Sequence, residues 1–193
     1  MKKLGISLLL LAFALMLGGN AFAQGDNSVY FTTYYANNVA AAPDATVRFI
    51  NDGDTGGNLW AAFYVFDDSQ ELTQCCACVI TPDGVLSESV KTELTINPIT
   101  GKVPTRGVIK VISSSSNDPT APVPAAGLRG WATHIQSAAN KTPYGPAPYS
   151  QTETAFADSN LSAGEQALLG NLCYYDSLLS GLPCACTLED HDF

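Results

Sequence analysis

The sequence has 193 residues, of which the first 23 read as a removable leader, so the folded part has the size of one domain. Charged residues make up only 14%, against about 25% in an ordinary soluble domain, which leaves a largely uncharged surface. With 9 Lys plus Arg against 18 Asp plus Glu the formal charge is -9, and loss of Lys2 and Lys3 with the leader takes it to -11. A chain of that sign repels a phosphate backbone, which excludes nucleic acid as a partner.

Lys2 and Lys3 form a positive n-region, residues 4–17 an apolar h-region, and Ala21-Phe22-Ala23 the small residues that signal peptidase accepts. Residues 1–23 are therefore expected to be a signal peptide, with Gln24 as the new N-terminus. The h-region, about 14 residues long, is short of the roughly 20 that span a bilayer. No cysteine follows the cleavage site to take a lipid. The expected product is a secreted protein, extracellular or at the cell surface, with no membrane insertion after cleavage. Residues 24–193 are then one domain.

Residues 28–35 read as the first strand. Val29, Tyr30, Phe31, Tyr34 and Tyr35 place apolar or aromatic side chains on both faces. The stretch is joined to the rest through Asn37, Asn38 and Ala40-Ala41-Ala42-Pro43, so it either completes its own sheet or is donated to a neighbouring copy. A strand over 46–50 follows Pro43-Asp44. The run from Asn51 through Asp52, Gly53, Asp54 and Gly57 to Asn58 concentrates oxygen ligands and reads either as an Asp/Gly hairpin loop or as a calcium loop at Asp52 and Asp54. It lacks the bidentate Glu and the spacing of an EF-hand.

Residues 59–66 are apolar on both faces, as a central strand is. Asp67 and Asp68, adjacent on a strand, point to opposite faces and make no glycosidase pair. After the turn Thr81-Pro82-Asp83-Gly84, the alternation of Val90, Thr92, Leu94 and Ile96 with Lys91, Glu93, Thr95 and Asn97 predicts a half-buried strand. Two more follow over 108–112 and 128–136, separated by the low-complexity stretch 113–124. In the last of them the alternation puts His134 opposite Trp131 and turned to solvent. Six or seven short strands at this spacing predict a mainly β fold, an antiparallel β-sandwich. One C-terminal helix is expected over 162–180, with Ser162 and Glu165 as a capping box, Leu168, Leu172, Tyr175 and Leu179 as its core-facing stripe, and Gly181 and Pro183 as its end.

The six cysteines fall into two triplets, Cys75, Cys76 and Cys78 in mid-chain and Cys173, Cys184 and Cys186 near the end. An even count in an oxidising compartment favours disulfides. Bonds between adjacent or i,i+2 cysteines are geometrically awkward, which leaves three bridges from triplet to triplet with their connectivity open. A thiolate metal site is the competing reading of these spacings, but no C-x-x-C pairs with a second one, and no metal or other cofactor is expected.

No Gly-x-Ser-x-Gly elbow, His-Glu-x-x-His helix or Gly-rich phosphate loop occurs, and the chain is not expected to be an enzyme. His191 lies in the acidic tail Glu189-Asp190-His191-Asp192, which reads as a fraying terminus. Terminal Phe193 is not preceded by the alternating segments of an outer-membrane barrel.

The motifs Thr55-Gly-Gly-Asn-Leu59, Cys75-Cys76-x-Cys78, Thr81-Pro-Asp-Gly84, Gly107-Val-Ile-Lys110, Trp131-Ala-Thr-His134 and a Cys-x-Cys tail resemble a group of exported acidobacterial proteins of unassigned function. The resemblance covers most of residues 46–186. It implies a secreted, β-rich, disulfide-bonded protein and brings no catalytic residues. Together with the low charge and the terminal aromatic strand, it leads to the expectation of a structural subunit of an extracellular filament or tube whose partners are copies of itself. The alternative is a secreted module that binds polysaccharide or another surface ligand through Trp60, Trp131, Tyr144 and Tyr149.

Overall fold

The computed structural model describes residues 27–95, 101–137, 149–180 and Cys186. Nine strands are present among them: β1 (Tyr30–Tyr35), β2 (Thr46–Asn51), β3 (Leu59–Asp67), β4 (Leu72–Ile80), β5 (Val85–Ser89), β6 (Gly107–Ser114), β7 (Leu128–Gln136), β8 (Ser150–Ala155) and β9 (Ala157–Asp158). One α-helix, α1 (Ala163–Ser180), is the last described element. The strands form two antiparallel sheets, ordered β4-β3-β6-β1-β9 and β5-β2-β7-β8. The expected mainly β sandwich with a C-terminal helix held by disulfides is the observed architecture.

Alternation along the strands sorts side chains between two cores. Phe31 and Tyr35 of β1, Ala61, Phe63 and Val65 of β3, and Ile109 and Val111 of β6 point between the sheets, where they meet Val47, Phe49, Leu128 and Ile135 of the second sheet. Phe49 is the hub, with its ring centroid 5.9 Å from Phe31, 5.7 Å from Phe63 and 4.8 Å from Phe156. Phe156, buried between β8 and β9, is the pivot on which the chain passes from one sheet to the other. Intervening residues of the first sheet, Tyr30, Ala62, Tyr64, Cys75 and Ile112, point the other way and form a second core with Leu169 and Cys173 of α1.

β3 runs between β4 and β6 and is buried on both faces, as its apolar run requires. The strand expected from Val90 onward is corrected. β5 ends at Ser89, whose hydroxyl accepts from the Thr92 N–H at 3.0 Å, and a single π-helical turn, Val90–Leu94, follows. Val90 and Leu94 are both buried. A spacing of four fits period two and a helical turn alike, and the Ser89 cap decides for the turn. Ile96 and Asn97 lie outside the described residues, as does the leader.

Thr81-Pro82-Asp83-Gly84 is a turn, with the Gly84 N–H on the Thr81 carbonyl at 2.8 Å, but it links β4 to β5 across the two sheets. Buried Asn51 holds that corner, its side-chain amide donating to the carbonyls of Gly57 and Ile80, each at 3.0 Å.

Candidate functional site

The cysteine triplet lies on β4, where neighbouring side chains alternate. Cys75 therefore faces α1 and bonds Cys173, while Cys78 faces the inter-sheet core and bonds Cys186. Cys76 is disulfide-bonded as well, and Cys184 lies outside the described residues. The Cys75–Cys173 and Cys78–Cys186 bridges run from triplet to triplet and fasten the C-terminal region to both sides of one strand. Among the described residues Cys76, Cys78 and Cys186 form the one group close enough to hold a metal ion. All three are in disulfides, which removes the thiolates a metal needs.

Polar contacts orient α1 on the sheet. Glu165 receives the Tyr30 hydroxyl at 2.8 Å and the Lys110 ammonium at 2.6 Å, and that ammonium lies 5.3 Å from the centre of the Phe66 ring. Lys110 holds the Glu165 carboxyl below its usual range, and burial pushes the Tyr30 phenol well above its own. The Glu165 N–H donates to the Ser162 hydroxyl at 3.1 Å, so half of the expected capping box forms while the carboxylate goes to the sheet. The loop between β6 and β7 is held underneath: Tyr64 donates to the Pro119 carbonyl at 2.6 Å and Gln166 to that of Pro122 at 2.8 Å. Gly170 lets the helix approach, since a Cβ there would lie 2.4 Å from the Thr120 carbonyl oxygen.

The face that α1 turns to the sheet is not the expected one. Leu169 and Cys173 are buried, whereas Leu168, Tyr175 and Leu179, expected in the core, are 51%, 63% and 73% exposed. Leu172 is half-buried at the boundary. The helix is apolar nearly all round, so periodicity alone did not single out its inner face. The Cys173 bridge and the Glu165 contacts did. Tyr174 and Leu178 join the outward set, with the Tyr174 and Tyr175 rings packed edge to face at 5.7 Å. The only two ionisable carboxylates of the helix both point inward, Glu165 to Lys110 and Asp176 to within 4.0 Å of the Cys75 sulfur. The outward face thus carries no charge.

β1 completes its own sheet. Antiparallel pairing with β6 from Tyr30 to Tyr35, and with β9 at Phe31 and Thr32, uses both of its edges. Tyr30, Phe31 and Tyr35 are buried, Val29 is half-buried and gives its carbonyl to the Ser113 N–H, and Tyr34 alone is substantially exposed. Of the five residues expected as an assembly contact, Tyr30, Phe31 and Tyr35 are thus covered within one chain, while Tyr34 and part of Val29 stay accessible. His134 is also corrected. It is 3% exposed, stacked on Tyr34 at 4.2 Å and within 2.8 Å of the Thr154 hydroxyl through Nε2, and burial lowers its pKa.

The other acidic candidates do structural work. In the loop after β2, one Asp52 oxygen accepts the Asp54 N–H and the other meets Arg129 at 3.4 Å. Asp67 caps the turn at Ser69 and Glu71, and Asp68 pairs with Arg106 at 2.7 Å. Trp60 and Trp131 are half-buried on the outer faces of different sheets and form no common platform, and Tyr149 packs partly on the core. Tyr144 and His191 lie outside the described residues.

Sequence reasoning missed β8. It is an edge strand in which all six residues are exposed, and it pairs with β7 alone among the described strands. Its sequence, SQTETA, has neither apolar alternation nor a flanking apolar run, so only its two threonines signalled a strand. No described helix is long and apolar enough to cross a membrane, which says nothing of barrel strands. In the comparisons, no protein-family model, curated protein or solved structure matches this chain.

Proposed function

We propose that the mature chain is a structural subunit of an extracellular filament or tube that grows by self-association. The observation that carries this reading is β8. An edge strand presents a row of unpaired N–H and C=O groups, and sheet proteins usually blunt it with Lys, Pro or a cover. β8 has neither Lys nor Pro, is open on both faces, and neutralises its one charge, Glu153, on Arg48 at 3.1 Å. Two copies can pair antiparallel at this edge and continue one sheet into the next. The leader, the disulfides, which fit an oxidising compartment, and the resemblance to exported acidobacterial proteins support an extracellular setting.

The test is the size of the oxidised mature chain, followed by light scattering and electron microscopy. The parent should form large assemblies that persist in salt, because ladder hydrogen bonds are not screened as ion pairs are. Gln151→Lys with Thr152→Lys places a cation on each face of β8 and should stop growth while the melting temperature stays that of the parent. A monomeric parent defeats the proposal.

A further inference from the structure

A pair formed edge to edge about a two-fold axis is closed, so growth needs a second contact on another surface. From the outward face of α1 we infer that this contact is a second copy of the same helix, packed antiparallel about its own two-fold axis. As the growth contact it rests on the filament reading. As a pairing surface it rests on the helix alone.

Three observations select another copy as the occupant. The chain has a net charge of -9, so most approaches of two copies bring like charges together, whereas this face holds none. Its two halves are complementary in size. Gly164, Ala167 and Leu168 occupy the N-terminal half and Tyr174, Tyr175, Leu178 and Leu179 the C-terminal half, so antiparallel packing sets Tyr174 and Leu178 on the small Ala167 and Gly164 and Tyr175 on Leu168. Exposed Asn171 falls at the centre, where an amide that both donates and accepts can pair with its own copy across the axis. The area is sufficient too. Leu168, Tyr174, Tyr175, Leu178 and Leu179 are between 50% and 73% exposed, about 600 Å² of side chain per copy, so a pair that covers all of it buries about 1,200 Å², the lower limit of a specific interface. Two such two-folds on different surfaces, one at β8 and one at α1, generate an open chain of subunits when their axes do not intersect.

Sizing the full oxidised mature chain tests this. Tyr175→Glu should reduce the assemblies to dimers joined at β8, the Gln151→Lys, Thr152→Lys variant should leave dimers joined at α1, and the three changes together should give monomers. In the antiparallel pair residue 168 of one copy faces residue 175 of the other. Leu168→Lys added to Tyr175→Glu should therefore restore growth. The two positions are about 10 Å apart along one helix, too far to pair within a copy. An unchanged melting temperature and no free thiol show that each variant is folded. Tyr175→Glu assemblies as large as those of the parent, or no recovery with Leu168→Lys, overturn the helix contact and leave the filament reading standing. A parent dimer dissolved by Tyr175→Glu but not by the β8 changes upholds the helix contact and ends the filament reading. A monomeric parent overturns both.

Discussion

His134 shows how a single side chain couples the fold to pH. Its ring stacks on Tyr34 and its Nε2 meets Thr154, so it ties β7 to β1 of the opposite sheet and to β8 beside it. Burial disfavours the imidazolium and lowers the pKa from 6.5. Above 6.5 the ring is neutral in folded and unfolded chains alike, and its packing contributes in full. As pH falls below that value the unfolded chain takes the proton first, so stability declines until the folded pKa is passed and then levels. Urea midpoints measured from pH 8 to pH 4 should show this decline, and His134→Gln should flatten it. An equal slope in the variant would mean that other groups carry it. Alternation placed His134 opposite Trp131, which it is. Which of the two faces water depended on the second sheet, and that is not a property of the strand.

At the scale of elements, α1 is the clearest case. Its start at Ser162 and its extent follow from local chemistry, and both were legible. Its orientation was not, because Leu and Tyr line one side while Leu169 and Cys173 line the other. Partners distant in sequence decide it, Tyr30 and Lys110 for the first turn and Cys75 for the third. Glu165→Gln retains the backbone cap but loses the charge-assisted bond to Lys110. Because that pair is partly exposed, the expected cost is about 1–2 kcal/mol. The carboxyl titrates below its ordinary 4.5, so the advantage of the parent should be present above that pH and disappear as pH falls below it. Parallel denaturant melts at pH 7 and pH 3 check the sign, and a gap that persists at pH 3 would place the cost elsewhere. The π-helical turn after β5 teaches the same lesson at shorter range, since Val90 and Leu94 suit either period and one serine hydroxyl decides between them.

For the molecule as a whole, the disulfides join the last part of the chain to its middle, Cys75 to Cys173 across 98 residues and Cys78 to Cys186 across 108. In the chain-entropy model one loop of about 100 residues is worth about 4.7 kcal/mol, and the later bridges add less because the first has already confined the chain. Cys76 is bonded, and Cys184 is the cysteine that remains. Mass spectrometry of non-reduced digests should find Cys76 linked to Cys184 beside the two described bridges. A free thiol at either position, or a Cys184 link to another cysteine, would contradict this.

The sequence by itself determined the sandwich class, the central strand 59–66, the boundaries of 128–136 and of the helix, and the pairing of one cysteine triplet with the other. Each follows from periods of two or 3.6 residues, from caps and turns, or from bond geometry, all of which act over a few residues. Only the tertiary structure decided that Cys75 turns to the helix while Cys78 turns to the core, that β1 is paired within its own sheet, that β8 is an edge among the described strands, and that α1 shows an uncharged apolar face outward. Each of these depends on which element lies on the far side of a strand or helix, and that is set by contacts between residues distant along the chain.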